Sequence, residues 1–150
     1  LDELQSVESW IKARSSSALK RLETVPPEAA PTLENCAFCG VRHLCDDYWQ
    51  WAKSRTANSK SAQFADVQIQ LLERKGVTGW SAVVESCAEL AVGSRIFFQP
   101  KEADLAFRQG QRLRILSANI IVASEDGADE QPSCPVASMT VASEVFSVAP

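Results

Sequence analysis

Residues 111–124 read QRLRILSANIIVAS. Arg112 and Arg114 alternate with Leu113 and Ile115, and Ile120, Ile121 and Val122 follow. A period of two rich in β-branched residues is the pattern of a half-buried strand, with the arginines on one face and the aliphatics on the other. Reading this stretch as strand makes the C-terminal half of the chain a β domain; reading it as helix would exclude one. Four further stretches have the same grammar: VQIQLLERK (67–75), VTGWSAVVES (77–86), SRIFFQP (94–100) and PVASMTVASEVFSV (135–148). Each is rich in β-branched or aromatic residues and is bounded by Gly, Pro or polar turns.

Between the third and fourth strands, KEADLAFRQG predicts a short helix over 101–109, with acids in its first turn and Gly110 just past its end. EDGADEQPS (125–133) is an acidic loop. Three strands, a short helix and two strands within residues 66–150 form the layout of an OB-fold-like five-stranded barrel. The first 62 residues read differently. Leu4, Val7, Trp10, Ile11, Ala18 and Leu22 fall near helical spacing over residues 1–23. Pro26, Pro27 and Pro31 then impose an extended arm. DDYWQWAKSRTA (46–57) reads as a short helix with its acids at the positive end. Polar SRTANSKSAQ (54–63) places a boundary near residues 56–64, giving two parts, 1–62 and 66–150, and an α+β fold class.

The chain has 150 residues, 45% of them hydrophobic, and a net charge of -4. It can bury a core, but it lacks the basic excess of a free-standing duplex-DNA binder. Residues 1–65 carry 8 basic and 8 acidic side chains; residues 66–150 carry 7 and 11, with Glu125, Asp126, Asp129 and Glu130 in one loop. No apolar run approaches the roughly 20 residues that cross a bilayer, and the start has no secretory signal pattern, so the expected location is the cytoplasm. The absence of an initial Met fits a piece of something longer.

Three of the five cysteines lie in ENCAFCGVRHLCDDYW (34–49), spaced C-x2-C-x5-C as Cys36, Cys39 and Cys45. Clustered thiolates in a reducing compartment read as metal ligands, and C-x2-C is a natural bite for one metal. Thiolate sites usually take four ligands, and His43 could supply a fourth to a zinc ion. Cys87 and Cys134 read as packing thiols.

The amphipathic helix, Pro-rich arm, C-x2-C-x5-C and following aromatic pair Tyr48–Trp49 resemble the C-terminal end of RecB-family nucleases of the PD-(D/E)xK superfamily. The resemblance covers roughly residues 1–52. It implies a [4Fe–4S] cluster on Cys36, Cys39 and Cys45, a fourth cysteine upstream of this chain, and a nuclease domain, or a partner subunit, before it. Zinc is the alternative metal. The nuclease's own residues are not matched: Glu73 and Lys75 form only the short E-x-K string, and Asp66 lies on the same strand. No catalytic residue is therefore assigned, and this chain alone is not expected to cut DNA. OB-folds bind single strands through aromatic stacking and basic side chains. Arg95, Phe97, Arg112, Arg114 and Trp80 are the candidate contacts for single-stranded DNA. The alternatives are a zinc-ribbon-like segment with an OB-fold binding module, or a protein–protein adaptor that binds no nucleic acid.

Overall fold

The computed structural model describes residues 2–24, 28–54, 64–102, 106–122 and 134–148. It is α+β, with helices in the N-terminal part and a closed barrel after them. Chain contacts define two units, Leu1–Phe38 and Cys39–Pro150. Cys39, Cys45 and the helix after them thus belong with the barrel.

In the first unit, α1 spans Asp2–Leu22, close to its expected limits. Glu8 and Lys12 pair across one turn at 2.6 Å, and the Arg14 guanidinium lies 5.0 Å from the Trp10 ring centroid. Leu4, Val7, Trp10, Ile11 and Leu22 are exposed. A second helix, α2 (Leu33–Ala37), falls where an extended arm was expected. Thr32 caps it by accepting from Asn35 N–H at 3.0 Å, which satisfies one of the orphan donors of a helix start.

In the second unit, a 3₁₀ turn at Arg42–Leu44 leads into α3 (Asp46–Ser54). Six strands follow: β1 (Phe64–Lys75), β2 (Gly79–Cys87), β3 (Arg95–Gln99), β4 (Arg112–Ile121), β5 (Val136–Ser138) and β6 (Glu144–Val148). The sheet runs β1-β2-β3-β5-β4 and closes through β1–β4. The β3–β5 pair is parallel and the others are antiparallel. The stretch 135–148, expected as one strand, divides: a turn in which Ser143 N–H bonds Thr140 C=O at 3.2 Å separates β5, which reaches β3, from β6, which lies beside β4. β1 is long enough to serve both neighbours because it bends, with register shifts at Ala65/Val67, Gln68/Ile69 and Leu71/Glu73. Of the helix expected at 101–109, residues 101–102 and 106–109 are bends, turns and irregular chain; 103–105 lie outside the described residues, as does the acidic stretch 125–130.

The core follows the alternation. Val67, Ile69 and Leu71 point inward from β1, Trp80, Ala82 and Val84 from β2, Ile96 and Phe98 from β3, and Leu113, Ile115, Ala118 and Ile120 from β4. Each large side chain buried this way contributes about 1.5–3 kcal/mol. Cys87 packs with them, and burial pushes its thiol pKa up. No helix among the described residues is long and apolar enough to cross a membrane.

Candidate functional site

With the aliphatic set of each strand committed to the core, the alternate set faces out. The register joins four of these residues into one cross-strand row: Arg112 pairs with Gln70, Gln70 with Val83, and Val83 with Arg95. Three strand spacings separate the ends, about 14 Å. Arg95 is exposed and has no polar partner among the described residues. Arg112 is 42% exposed at its side chain. Its Nε donates to Glu85 Oε2 at 2.8 Å, and the same oxygen accepts from Gln68 Nε2 at 2.7 Å. Glu85 therefore orients Arg112 through one nitrogen and leaves the two terminal nitrogens for a ligand.

Beside Arg95 on the same outer face, Phe97 lies over Gly79. A Cβ at position 79 would meet the Phe97 ring at 2.1 Å. The glycine leaves room for the ring to lie on the strand backbone, and Phe97 remains half-buried with part of its surface accessible. The other candidate aromatic, Trp80, is 5% exposed and belongs to the core. It pairs with Phe98, and both point inward because Gly79 and Ser81 take the outward positions of β2. Trp80 is thus removed from the list of stacking candidates.

Arg114 does share the outward side of β4 with Arg112, but it is 9% exposed. Its Nε donates to Gln68 Oε1 at 2.9 Å, Nη1 to the His43 carbonyl at 2.8 Å and Nη2 to Asp46. Its guanidinium stands 5.4 Å from the Trp49 ring centroid. These partners engage all three nitrogens of a buried side chain, so Arg114 holds the 3₁₀ turn and the start of α3 against the barrel and is not offered to a phosphate.

Asp66 makes the second such attachment. Its Oδ2 accepts from Arg42 Nε at 2.7 Å and from the Tyr48 hydroxyl at 2.8 Å, and its Oδ1 accepts from Ser117 N–H at 2.8 Å. Ser117 sits at φ 54 in the bulge of β4, a left-handed conformation stabilised here by that bond. The Asp66 hydrogen bond raises the Arg42 pKa, outweighing the burial that acts to lower it. Ser86 Oγ donates to the Trp49 carbonyl at 2.6 Å, so three barrel strands grip residues 42–49. Glu73 and Lys75, by contrast, pair only with each other at 2.7 Å on the exposed end of β1.

The cysteine segment is therefore a structured knuckle. Arg42 N–H bonds the Cys39 carbonyl at 3.3 Å, and Cys45 N–H bonds the Arg42 carbonyl at 3.2 Å. Cys36, Cys39 and Cys45 are free and half-buried, Cys36 in the first unit and the other two in the second. The His43 ring stacks on Phe146 with centroids 3.8 Å apart, and its buried Nδ1 has no hydrogen-bond partner. Thiolates and an imidazole are a soft donor set suited to iron–sulfur or zinc. Yet among the described residues no three His, Cys, Asp or Glu side chains are placed to hold a metal ion. The described residues therefore do not make a complete metal site.

A cleft of about 650 Å³ lies between α3 and the outer barrel face, bordered by Trp49, Gln50, Lys53, Glu85, Arg112 and Val148, among others. Lys53 was missed as a site residue because its sequence context marks only the end of a helix. Gly79 was missed because its role depends on Phe97 of the next strand, a contact that the local sequence does not signal. Compared with protein-family models, with curated proteins and with solved structures, the chain matches none.

Proposed function

We propose that residues 64–148 form an OB-fold and bind single-stranded DNA across the outer face of β1, β2, β3 and β4. The strand order β1-β2-β3-β5-β4-β1, the parallel β3–β5 closure and the long bent β1 support the fold assignment. The observation that carries the function is the row ending in Arg95 and Arg112, both with donor nitrogens available, beside the half-exposed Phe97 ring. Such a face tracks phosphates with its arginines and stacks a base on its aromatic, which suits a strand without regard to its sequence. Two side chains leave the original list in this reading: Trp80 to the core and Arg114 to the α3 attachment. The net charge of -4 makes the binding local to this face.

The wider setting we propose is the C-terminal portion of a RecB-like iron–sulfur nuclease; the C-x2-C-x5-C spacing supports it, and a cluster there would need Cys36, Cys39 and Cys45 to be drawn together as well as a further ligand from outside the described residues. The exposed apolar stripe of α1 supports a protein contact for the first unit, such as an upstream nuclease domain or a partner subunit.

The test is titration of a labelled oligonucleotide with the wild type and with Arg95→Ala/Arg112→Ala at two salt concentrations. Losing two phosphate contacts lowers the salt slope by about 1.4, from about 0.7 per contact on a single strand. The loss of affinity should be similar for all base sequences. A folded double variant that binds as tightly as the wild type at both salts rules out this face.

A further inference from the structure

The cleft beside α3 does not end at Arg112. Arg112 and Val148 also border a second cleft of about 550 Å³, whose other walls are Ala106, Arg108, Gln109, Gly110 and Gln111. The two clefts thus adjoin at Arg112 and Val148, and together they make a groove that reaches from α3 past the start of β4 to residues 106–111. Its cations are Lys53, Arg108, Arg112 and Arg114; its carboxylates are Asp46 and Glu85. Both carboxylates are already engaged, Asp46 by Arg114 and Glu85 by Arg112 and Gln68. Lys53 and the Arg108 guanidinium are exposed and have no hydrogen-bond or ion-pair partner among the described residues. Among the described residues the groove therefore holds an unpaired positive charge at each end, with Arg112 between them, in a chain whose net charge is negative. Side-chain amides of Gln50, Gln109 and Gln111 add polar groups along its walls.

From this arrangement we infer that the groove is a second, separate stretch of phosphodiester-binding surface, with Lys53 and Arg108 as its phosphate ligands. The inference rests on the single-stranded DNA reading and gives it a path. The strand crosses the sheet from Arg95 to Arg112, then turns at Arg112 and follows the groove toward Arg108 or Lys53. Arg112 is the corner shared by both stretches, and Glu85 holds it there through Nε. Cations and side-chain amides along walls that also carry Trp49 and several valines suit a sugar–phosphate chain, because contacts to phosphate and sugar do not depend on base identity.

Oligonucleotide length tests this. Single strands at the short and long ends of the usual range for such folds, about 4 and about 16 nucleotides, are titrated against the full chain. The proteins are the wild type, Lys53→Ala/Arg108→Ala and Arg95→Ala/Arg112→Ala, each checked for folding by circular dichroism. The wild type should bind the long strand more tightly than the short one. The Lys53→Ala/Arg108→Ala protein should lose that gain, with a salt slope for the long strand smaller by about 0.7, one contact on whichever arm the strand follows, and bind the short strand as the wild type does. If it binds the long strand as the wild type does while Arg95→Ala/Arg112→Ala is weakened, the groove is not on the path and the barrel face stands. If Arg95→Ala/Arg112→Ala also binds like the wild type, the DNA reading itself falls, and the inference with it. A third arm adds inorganic pyrophosphate as competitor. Complete displacement of the long strand by pyrophosphate at equal phosphate concentration would make the groove a small-anion site and overturn the path.

Discussion

Replacing Asp66 with alanine removes one carboxylate and leaves three donors behind. The side chains of Asp66 and Arg42 are only 12% and 18% exposed, so water replaces the lost bonds incompletely. Breaking a largely buried pair by deleting one partner costs about 3–5 kcal/mol, because the remaining charge stays desolvated. The stranded Ser117 N–H adds a penalty of about 1–3 kcal/mol where it is shielded, and its left-handed backbone loses the bond that stabilised it. Relaxation of Arg42 toward solvent offsets part of this, so the net expectation is a loss of about 3 kcal/mol. For a domain of this size that is a fall in Tm of roughly 10 °C. Urea unfolding followed by tryptophan fluorescence measures it, and Trp49 on α3 reports whether the knuckle leaves first. Asp66→Asn should recover part of the loss, since its amide oxygen can still accept from Ser117. A double-mutant cycle with Arg42→Ala should return a coupling of about 1–3 kcal/mol. A loss below about 1 kcal/mol for Asp66→Ala, with no coupling to Arg42, would refute the reasoning that these bonds hold residues 42–49 on the barrel.

Gly79→Ala should leave the protein folded but push the Phe97 ring off the β2 backbone. Losing one stacked base costs about 1–3 kcal/mol, a drop of about 5- to 150-fold in oligonucleotide affinity; undiminished binding would remove Phe97 from the site. Arg114→Ala should destabilise the chain by about 1–3 kcal/mol, read by chemical denaturation, because the Gln68 amide oxygen and the His43 carbonyl lose their donor, while Asp46, 84% exposed at its side chain, is rehydrated. Cys87 governs an alkaline effect. Its folded-state pKa is raised by burial, so the stability it contributes is fully present below the unfolded value of 9.0 and falls as pH rises above it. The stability advantage of the wild type over Cys87→Ala should therefore shrink between pH 8 and 10, roughly the interval across which the unfolded thiol ionises. An advantage constant over that interval would contradict the burial argument.

Strand alternation carried much of the fold. It placed Leu113 and Ile115 inside and Arg112 outside, and the closed barrel follows from stretches whose aliphatic residues recur every second position. What alternation could not convey was partnership. Arg112 and Arg114 look equivalent in sequence, yet α3 covers one and leaves the other accessible, a contact made by residues 68 positions apart. Trp80 and Phe97 look equally available, and only the phase of β2 relative to Gly79 separates them. The split of 135–148 turned on Thr140 and Ser143, whose side-chain oxygens accept from the backbone N–H groups of Ala142 and Thr140 and compete with strand pairing. α2 went unrecognised because three prolines dominate its approach, although Thr32 followed by Asn35 is an N-cap signal. The Asp66 attachment had no local signature at all, since its three donors come from two distant stretches of chain, residues 42–48 and Ser117.

The central claim is that one outer face of the barrel receives single-stranded DNA. Amide chemical-shift mapping of the isotope-labelled chain, titrated with an oligothymidylate, tests it most directly. The account predicts that the perturbed amides cluster at Arg95–Gln99, at Gly79–Val83 and around Arg112, while β5 and the first unit stay unshifted. Perturbations confined to α1, or a spectrum unchanged at saturating oligonucleotide and low salt, would contradict it.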